Sequence, residues 1–141
     1  MSYTDQEVIQ RILREARHIA VVGLTDDPAR PSYSVPAYLQ ANGYHIIPVN
    51  PTLSGTVLGE TVYDSLADVP GPIDVVQIFR RSEHVGPIVE EAIAAGAKAV
   101  WMQLGISNEE AAAVAHAAGL DVVMNQCMKV QHSRLSGETM I

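Results

Sequence analysis

Five short runs constrain this sequence most: His18–Gly23, Tyr44–Val49, Asp74–Phe79, Ala99–Gln103 and Asp121–Met124. Each is apolar almost throughout instead of alternating apolar with polar. Successive side chains of a strand point to opposite faces of its sheet, so such strands must be covered on both sides. A parallel sheet wrapped by helices meets that demand.

The intervening segments fit it. Residues 5–16 place Val8, Ile9, Ile12, Leu13 and Ala16 on one helical face, with Thr4 and Glu7 as a capping box. This face is expected to cover the sheet or to meet a second copy. A second helix is expected at about 34–42, stopping at Asn42-Gly43. Residues 52–72 read as a Gly/Pro-rich connection with a β-like piece near Thr61–Tyr63 and a turn of helix after Asp64. Residues 82–95 carry Val85, Ile88, Val89, Ala92 and Ile93 on one face, with Gly86-Pro87 blurring the start. Ser107 and Glu110 form a second capping box, for a helix running to about Ala118 and closed by Gly119. The tail, 125–141, reads as irregular. The expectation is one α/β domain over 1–141, a Rossmann-type doubly wound parallel sheet of about five strands. Its expected order is 3-2-1-4-5, with a ligand crevice beyond the strand ends, between the first and fourth strands.

Composition narrows the function. The net charge of −7 argues against a nucleic-acid partner, which needs a Lys/Arg surface. No apolar run reaches the roughly 18 residues that span a membrane, and the N-terminus lacks a signal-peptide pattern. The lone cysteine, Cys127, has no partner for an internal disulfide, so a reducing, cytoplasmic setting is expected. A small anion remains compatible with the acidic balance, because local cations and backbone N–H groups suffice to hold it.

The crevice rule directs attention to the loops after each strand. After the first strand, Gly23 lets the backbone approach a ligand, and the Thr25, Ser32 and Ser34 hydroxyls and Arg30 are phosphate candidates. The same loop also reads as a helix cap with a surface arginine. Asn50 is either a hydrogen-bonding partner for an adenosine or a turn residue before Pro51. Phe79, Arg80 and Arg81 offer an aromatic wall and phosphate partners, or a solvated pair beside the last core aromatic. Gln103 and the N–H groups after Gly105 face the same crevice. The G-x-G-x-x-G fingerprint and the acid after the second strand are both missing, which weighs against NAD. Cys127 and His132 suggest nucleophilic chemistry, but a single cysteine at a strand end reads more simply as a small buried hydrophobe. The five histidines show no metal-ligand spacing.

Together the runs Ile19–Thr25, Arg30–Val35, Gly43–Pro51 (with Pro-Val-Asn-Pro), Gly55–Tyr63 (with Gly59-Glu60), Val76–Arg81, Ala99–Gly105 (with Trp-Met-Gln-Leu-Gly) and the Cys127/His132 pair resemble the small bacterial CoA-binding proteins. These are similar to the N-terminal CoA-binding domain of the succinyl-CoA synthetase α subunit. The resemblance spans about 8–135. It implies that the Gly23-Leu24-Thr25 turn and the Arg30–Ser34 segment hold phosphates. It also implies that Asn50, Pro51, Phe79 and Arg80 line the adenosine side, and that Gln103 to Gly105 form the floor. The sequence departs from that pattern at Asp26-Asp27-Pro28, where the synthetase subunits carry a further glycine, and at Asn125-Gln126, where an arginine is expected.

The reading that follows is a module that binds coenzyme A or an acyl-CoA without catalysis of its own. Its rivals are a small NAD(P)-dependent enzyme, a thiol-exchange enzyme using Cys127, and a subunit whose chemistry needs a partner chain.

Overall fold

The computed structural model describes residues 5–139. The five apolar runs form the strands β1 (His18–Val22), β2 (His45–Val49), β5 (Val75–Ile78), β6 (Ala99–Met102) and β7 (Asp121–Val123) of one parallel sheet. Between β2 and β5 lie a two-stranded antiparallel hairpin, β3 (Thr56–Val57) and β4 (Glu60–Thr61), and a 3-10 turn at Leu66–Asp68.

The continuous apolar character has the expected cause. Along β1, Ile19 and Val21 enter one core layer and Ala20 and Val22 the other. The first layer is closed by α1 (Gln6–Glu15), α2 (Pro31–Ala41) and α5 (Met128–Thr139), through Ile9, Ile12, Leu39 and Met128. The second is closed by α3 (Val85–Ala94) and α4 (Glu109–Ala117), through Val85, Val89, Ala112 and Ala115. The apolar face of α1 therefore covers the sheet.

The strand order differs from the expected one. It is β2-β1-β5-β6-β7, so the third core strand pairs with the first (Ala20 opposite Val76) and not outside the second. The helix-poor connection 50–74 first packs Val57 into the α2 layer, then carries Leu66 and Ile73 into the α3/α4 layer, and delivers β5 to the other side of β1. The order thus reverses between β1 and β5, and the crevice predicted by the switch-point rule moves there.

The helix ends also differ in detail. Asp5 caps α1 by accepting the Glu7 N–H at 2.8 Å, while Thr4 lies outside the described residues. Asn108, not Ser107, caps α4, accepting the Ala111 N–H at 3.0 Å. The second helix starts at Pro31, the position where a missing N–H costs nothing. A 3-10 turn (Ser82–His84) precedes α3, which places Pro87 in the helix's first turn, where its missing N–H is again harmless. The tail expected to be irregular is α5. Its polar sequence shows no cap or stripe, and it is held from outside, by Tyr38 of α2 hydrogen-bonding His132 at 2.9 Å.

Candidate functional site

At the carboxyl end of the sheet, Gly23 has φ +91°, and a Cβ there would lie 2.5 Å from the Phe79 carbonyl oxygen. Its N–H donates to Val49 O at 2.9 Å. Gly23 is therefore the knot where the ends of β1, β2 and β5 meet, and its missing side chain makes room for protein backbone. Leu24 is wholly buried. Its carbonyl accepts from Asn50 Nδ2 at 2.9 Å, while Asn50 Oδ1 accepts from the Thr52 N–H at 2.9 Å and hydroxyl at 2.7 Å. Asn50 ties two loops together from a buried position.

The next loop is closed by a proline effect. Pro36 has no N–H to give the carbonyl of Ser32, one turn earlier in α2. That carbonyl accepts from the Thr25 N–H at 3.2 Å, and the Thr25 and Ser32 hydroxyls pair at 2.9 Å. The loop is thereby folded back so that the start of α2 faces the gap above β5 and β6. Asp27 turns outward, its carboxylate accepting the Ala29 N–H at 3.0 Å.

The gap is a cleft of about 740 Å³, within the usual size range of small-molecule sites. Of the residues expected at the site, Arg30, Ser32, Ser34, Phe79, Arg80, Arg81 and Gln103 line it. Gly23, Leu24, Thr25, Asn50, Pro51 and Gly105 do not. Pro51 instead lines a neighbouring hollow of about 170 Å³ that shares Arg80 with the cleft. The N–H groups after strand β6 are taken by the protein: Gly105 donates to Asn125 Oδ1 at 2.7 Å, Ile106 to Gln103 O at 2.9 Å and Ser107 to Ser82 Oγ at 3.0 Å. Asn125 holds its side of that contact from the left-handed region, φ 57°, which asparagine tolerates.

Pro31 and Leu104, inside the expected Arg30–Ser34 and Gln103–Gly105 segments, line the cleft too, and the structure adds wall residues outside those segments: Val35, Ile106, Cys127 and Lys129. Leu104 stands 67% exposed at the edge of the cleft. Lys129 enters because α5 starts at Met128, and its Nζ lies 5.3 Å from the centre of the Tyr38 ring.

Four of the chain's nine Lys and Arg residues, Arg30, Arg80, Arg81 and Lys129, thus meet in one cleft with no acidic residue in its wall. Arg30 and Arg81 have loose outer partners, Asp27 at 3.9 Å and Glu83 at 4.0 Å, all strongly exposed and so weakly bound. Arg80 and Lys129 have no carboxylate partner among the described residues. The start of α2 adds the Ser32 N–H, since Pro31 has none and those of Tyr33 and Ser34 bond Arg30 O at 2.9 Å, and at the start of α5 the Met128 N–H is taken by Gln103 Oε1. Neither helix has an acid in its first turn. The cleft is built to attract anions in a protein that is acidic overall.

Cys127 and His132 do not form a pair. His132 Nδ1 is engaged by the Tyr38 hydroxyl, and burial pushes the imidazole pKa down. No His/Cys/Asp/Glu cluster among the described residues is arranged to hold a metal, and none of their helices is long and apolar enough to cross a membrane.

Comparison with known proteins decides the family. The profile of the CoA binding domain matches residues 17–133, which includes every residue of the cleft. The chain belongs to the CoA-binding domain family. A relative from Bacillus subtilis (strain 168), the uncharacterized protein YneT, is 44% identical over 125 residues, 89% of this chain and 92% of its own. A solved hypothetical protein from Pyrococcus horikoshii OT3 superposes with TM-score 0.90 at 41% identity, covering 94% of this chain and 93% of that one. The dinucleotide-forming acetyl-coenzyme A synthetase 1 of Ca. Korarchaeum cryptofilum, solved with phosphate and ADP, matches at TM-score 0.66 and 26% identity. That match covers 79% of this domain but only 26% of the synthetase. The same fold therefore occurs both in a chain of about this size and within a longer one.

Proposed function

We propose that the cleft binds coenzyme A or an acyl-CoA, and that the domain acts as a binding module without a catalytic cycle of its own. The observation that carries this reading is the meeting of four cations in one cleft of an acidic protein that belongs to this family. In this reading Arg30, Ser32, Ser34 and the start of α2 hold the pyrophosphate, which charge-assisted hydrogen bonds and helix N–H groups favour. Arg80 and Arg81 meet the 3′-phosphate. Phe79 packs against the adenine, beside the hollow that Pro51 and Arg80 share. Val35, Leu104 and Ile106 give the pantetheine arm apolar contact, and Lys129 closes the phosphate side from α5. Gly23, Leu24, Thr25, Asn50 and Gly105 act behind this surface, holding the loops that carry it.

A nicotinamide dinucleotide fits less well. Its ribose needs a carboxylate after the second strand, and Asn50 at that place is buried and engaged by Leu24 and Thr52. The reading also places the domain in a reducing cytoplasm and allows a second copy or an enzyme subunit to dock beside the cleft. Calorimetric titration with CoA, dephospho-CoA, NAD and NADP tests it. One-site CoA binding, weaker for dephospho-CoA and weaker in salt, is expected. Binding of NAD or NADP with no response to CoA would overturn it.

A further inference from the structure

The cleft holds two groups that phosphate binding does not use. Cys127 is the chain's one thiol and lines the cleft. Gln103 is 4% exposed and also lines it. The orientation of the Gln103 amide is set by its neighbours. The backbone N–H of Met128, which only donates, points at Gln103 Oε1 from 3.2 Å, and Gln77 Nε2 donates to the same oxygen at 3.2 Å. The oxygen is therefore fixed inward. The Gln103 Nε2 has no acceptor among the described residues and is not sealed in the core. A buried side chain thus presents an unpaired N–H donor to the cleft, and Met128, which orients it, is the next residue after Cys127. The arrangement comes at a cost: Gln77 Oε1 is buried without a donor.

A free N–H donor and a thiol lining one cleft are the pairing that a thioester carbonyl calls for. We propose that Cys127 accepts the acyl group of an acyl-CoA, with Gln103 Nε2 donating to the carbonyl oxygen. This rests on the CoA reading above. The Cys127 thiol gives its proton to solvent and its sulfur attacks the carbonyl carbon. The tetrahedral oxyanion is held by Gln103, as donors aimed at developing charge do. The carbon–sulfur bond to CoA then breaks. CoA leaves as a thiolate that takes up a proton from water, and the acyl group stays on Cys127 as a thioester. One thioester replaces another, so no oxidant or further reactant is required. The domain becomes a stoichiometric acyl carrier, and a subsequent acceptor would have to remove the group by the same class of exchange.

The test is intact-mass spectrometry of the full chain incubated with acetyl-CoA, beside calorimetric titration with CoA. The expected result is one acetyl group per chain, released by neutral hydroxylamine and absent in Cys127→Ser. Labelling should be faster than in the same chain unfolded in urea. Gln103→Glu keeps an oxygen for Met128 and Gln77 but removes the donor, and should slow labelling by about 100-fold. Gln103→Leu should slow it as well, and melting curves of both variants check that they fold. CoA binding without acetyl transfer, or labelling of Gln103→Glu at the unaltered rate, would overturn the proposal and leave the CoA reading standing. Addition of a whole CoA, removed by a reductant, would overturn it in favour of disulfide exchange at Cys127. Failure to bind CoA at all would overturn the underlying reading instead.

Discussion

The two ends of the sheet treat charge in opposite ways. At the amino end, Asp74 Oδ2 accepts the backbone N–H groups of Arg17 at 2.8 Å and His18 at 2.9 Å, while Lys98 lies 3.6 Å from its other oxygen. Arg11 reaches Asp121 at 2.6 Å, and the hollow between these pairs holds about 70 Å³. At the carboxyl end, Arg80 and Lys129 have no carboxylate partner among the described residues and line a cleft about ten times larger. The amino end matches its charges within the chain, with the Asp74 carboxylate bonded to two backbone N–H groups. The carboxyl end gathers four cations, two of them without a carboxylate partner among the described residues.

The largest expected effect shows that the carboxyl end also contains scaffold. Gly23→Ala puts a Cβ into the Phe79 carbonyl at a positive φ and should cost about 3 kcal/mol of stability, read by urea unfolding. A value near zero would mean that the knot between β1 and β5 yields easily. At the amino end, Asp74→Ala strands two N–H groups and should cost about 2 kcal/mol, with no loss of CoA affinity in calorimetry. Burial pushes the Asp74 pKa up, but the bonds from His18 and Arg17 and the charge of Lys98 together hold it below its ordinary 3.8. Its stabilisation is therefore full above 3.8 and lost as pH falls through the lowered folded value, so the variant should lose less stability on acidification below pH 3.8.

Arg80→Ala should do the reverse of Asp74→Ala. CoA affinity should fall by about tenfold with the melting temperature unchanged, because the side chain has no ion-pair partner to lose. The smallest effect lies between the two ends. Burial lowers the His132 pKa from 6.5, so stability should decline as pH falls below that value. A His132→Gln variant should show a flatter stability curve between pH 7 and 5, by about 0.5 kcal/mol.

These contrasts were unequally visible in the chain. The strands were legible because burial on both faces leaves a continuous apolar run, as in Ile19–Val22. Their order was not, since nothing local tells whether residues 50–74 return beside β2 or cross to the far side of β1. Helix α5 was hidden because its anchor, Tyr38, is 94 residues from His132. Lys129 was missed with it. Arg30, Arg80, Arg81 and Gln103 could be singled out because they follow strand ends, and the structure brings them to one cleft. The placement of Asn50 and the N–H of Gly105 away from that cleft depends on Leu24 and Asn125, partners 26 and 20 residues distant, and no spacing rule reveals such contacts.

The most direct test of the two-ended account is an amide NMR titration of the full chain with CoA. Shifts should concentrate at Arg30–Val35, Phe79–Arg81, Gln103–Ile106 and Cys127–Lys129, with Arg17, Asp74 and Lys98 unmoved. Saturable shifts centred on Asp74 and Lys98, with none at Arg30 or Arg80, would contradict it.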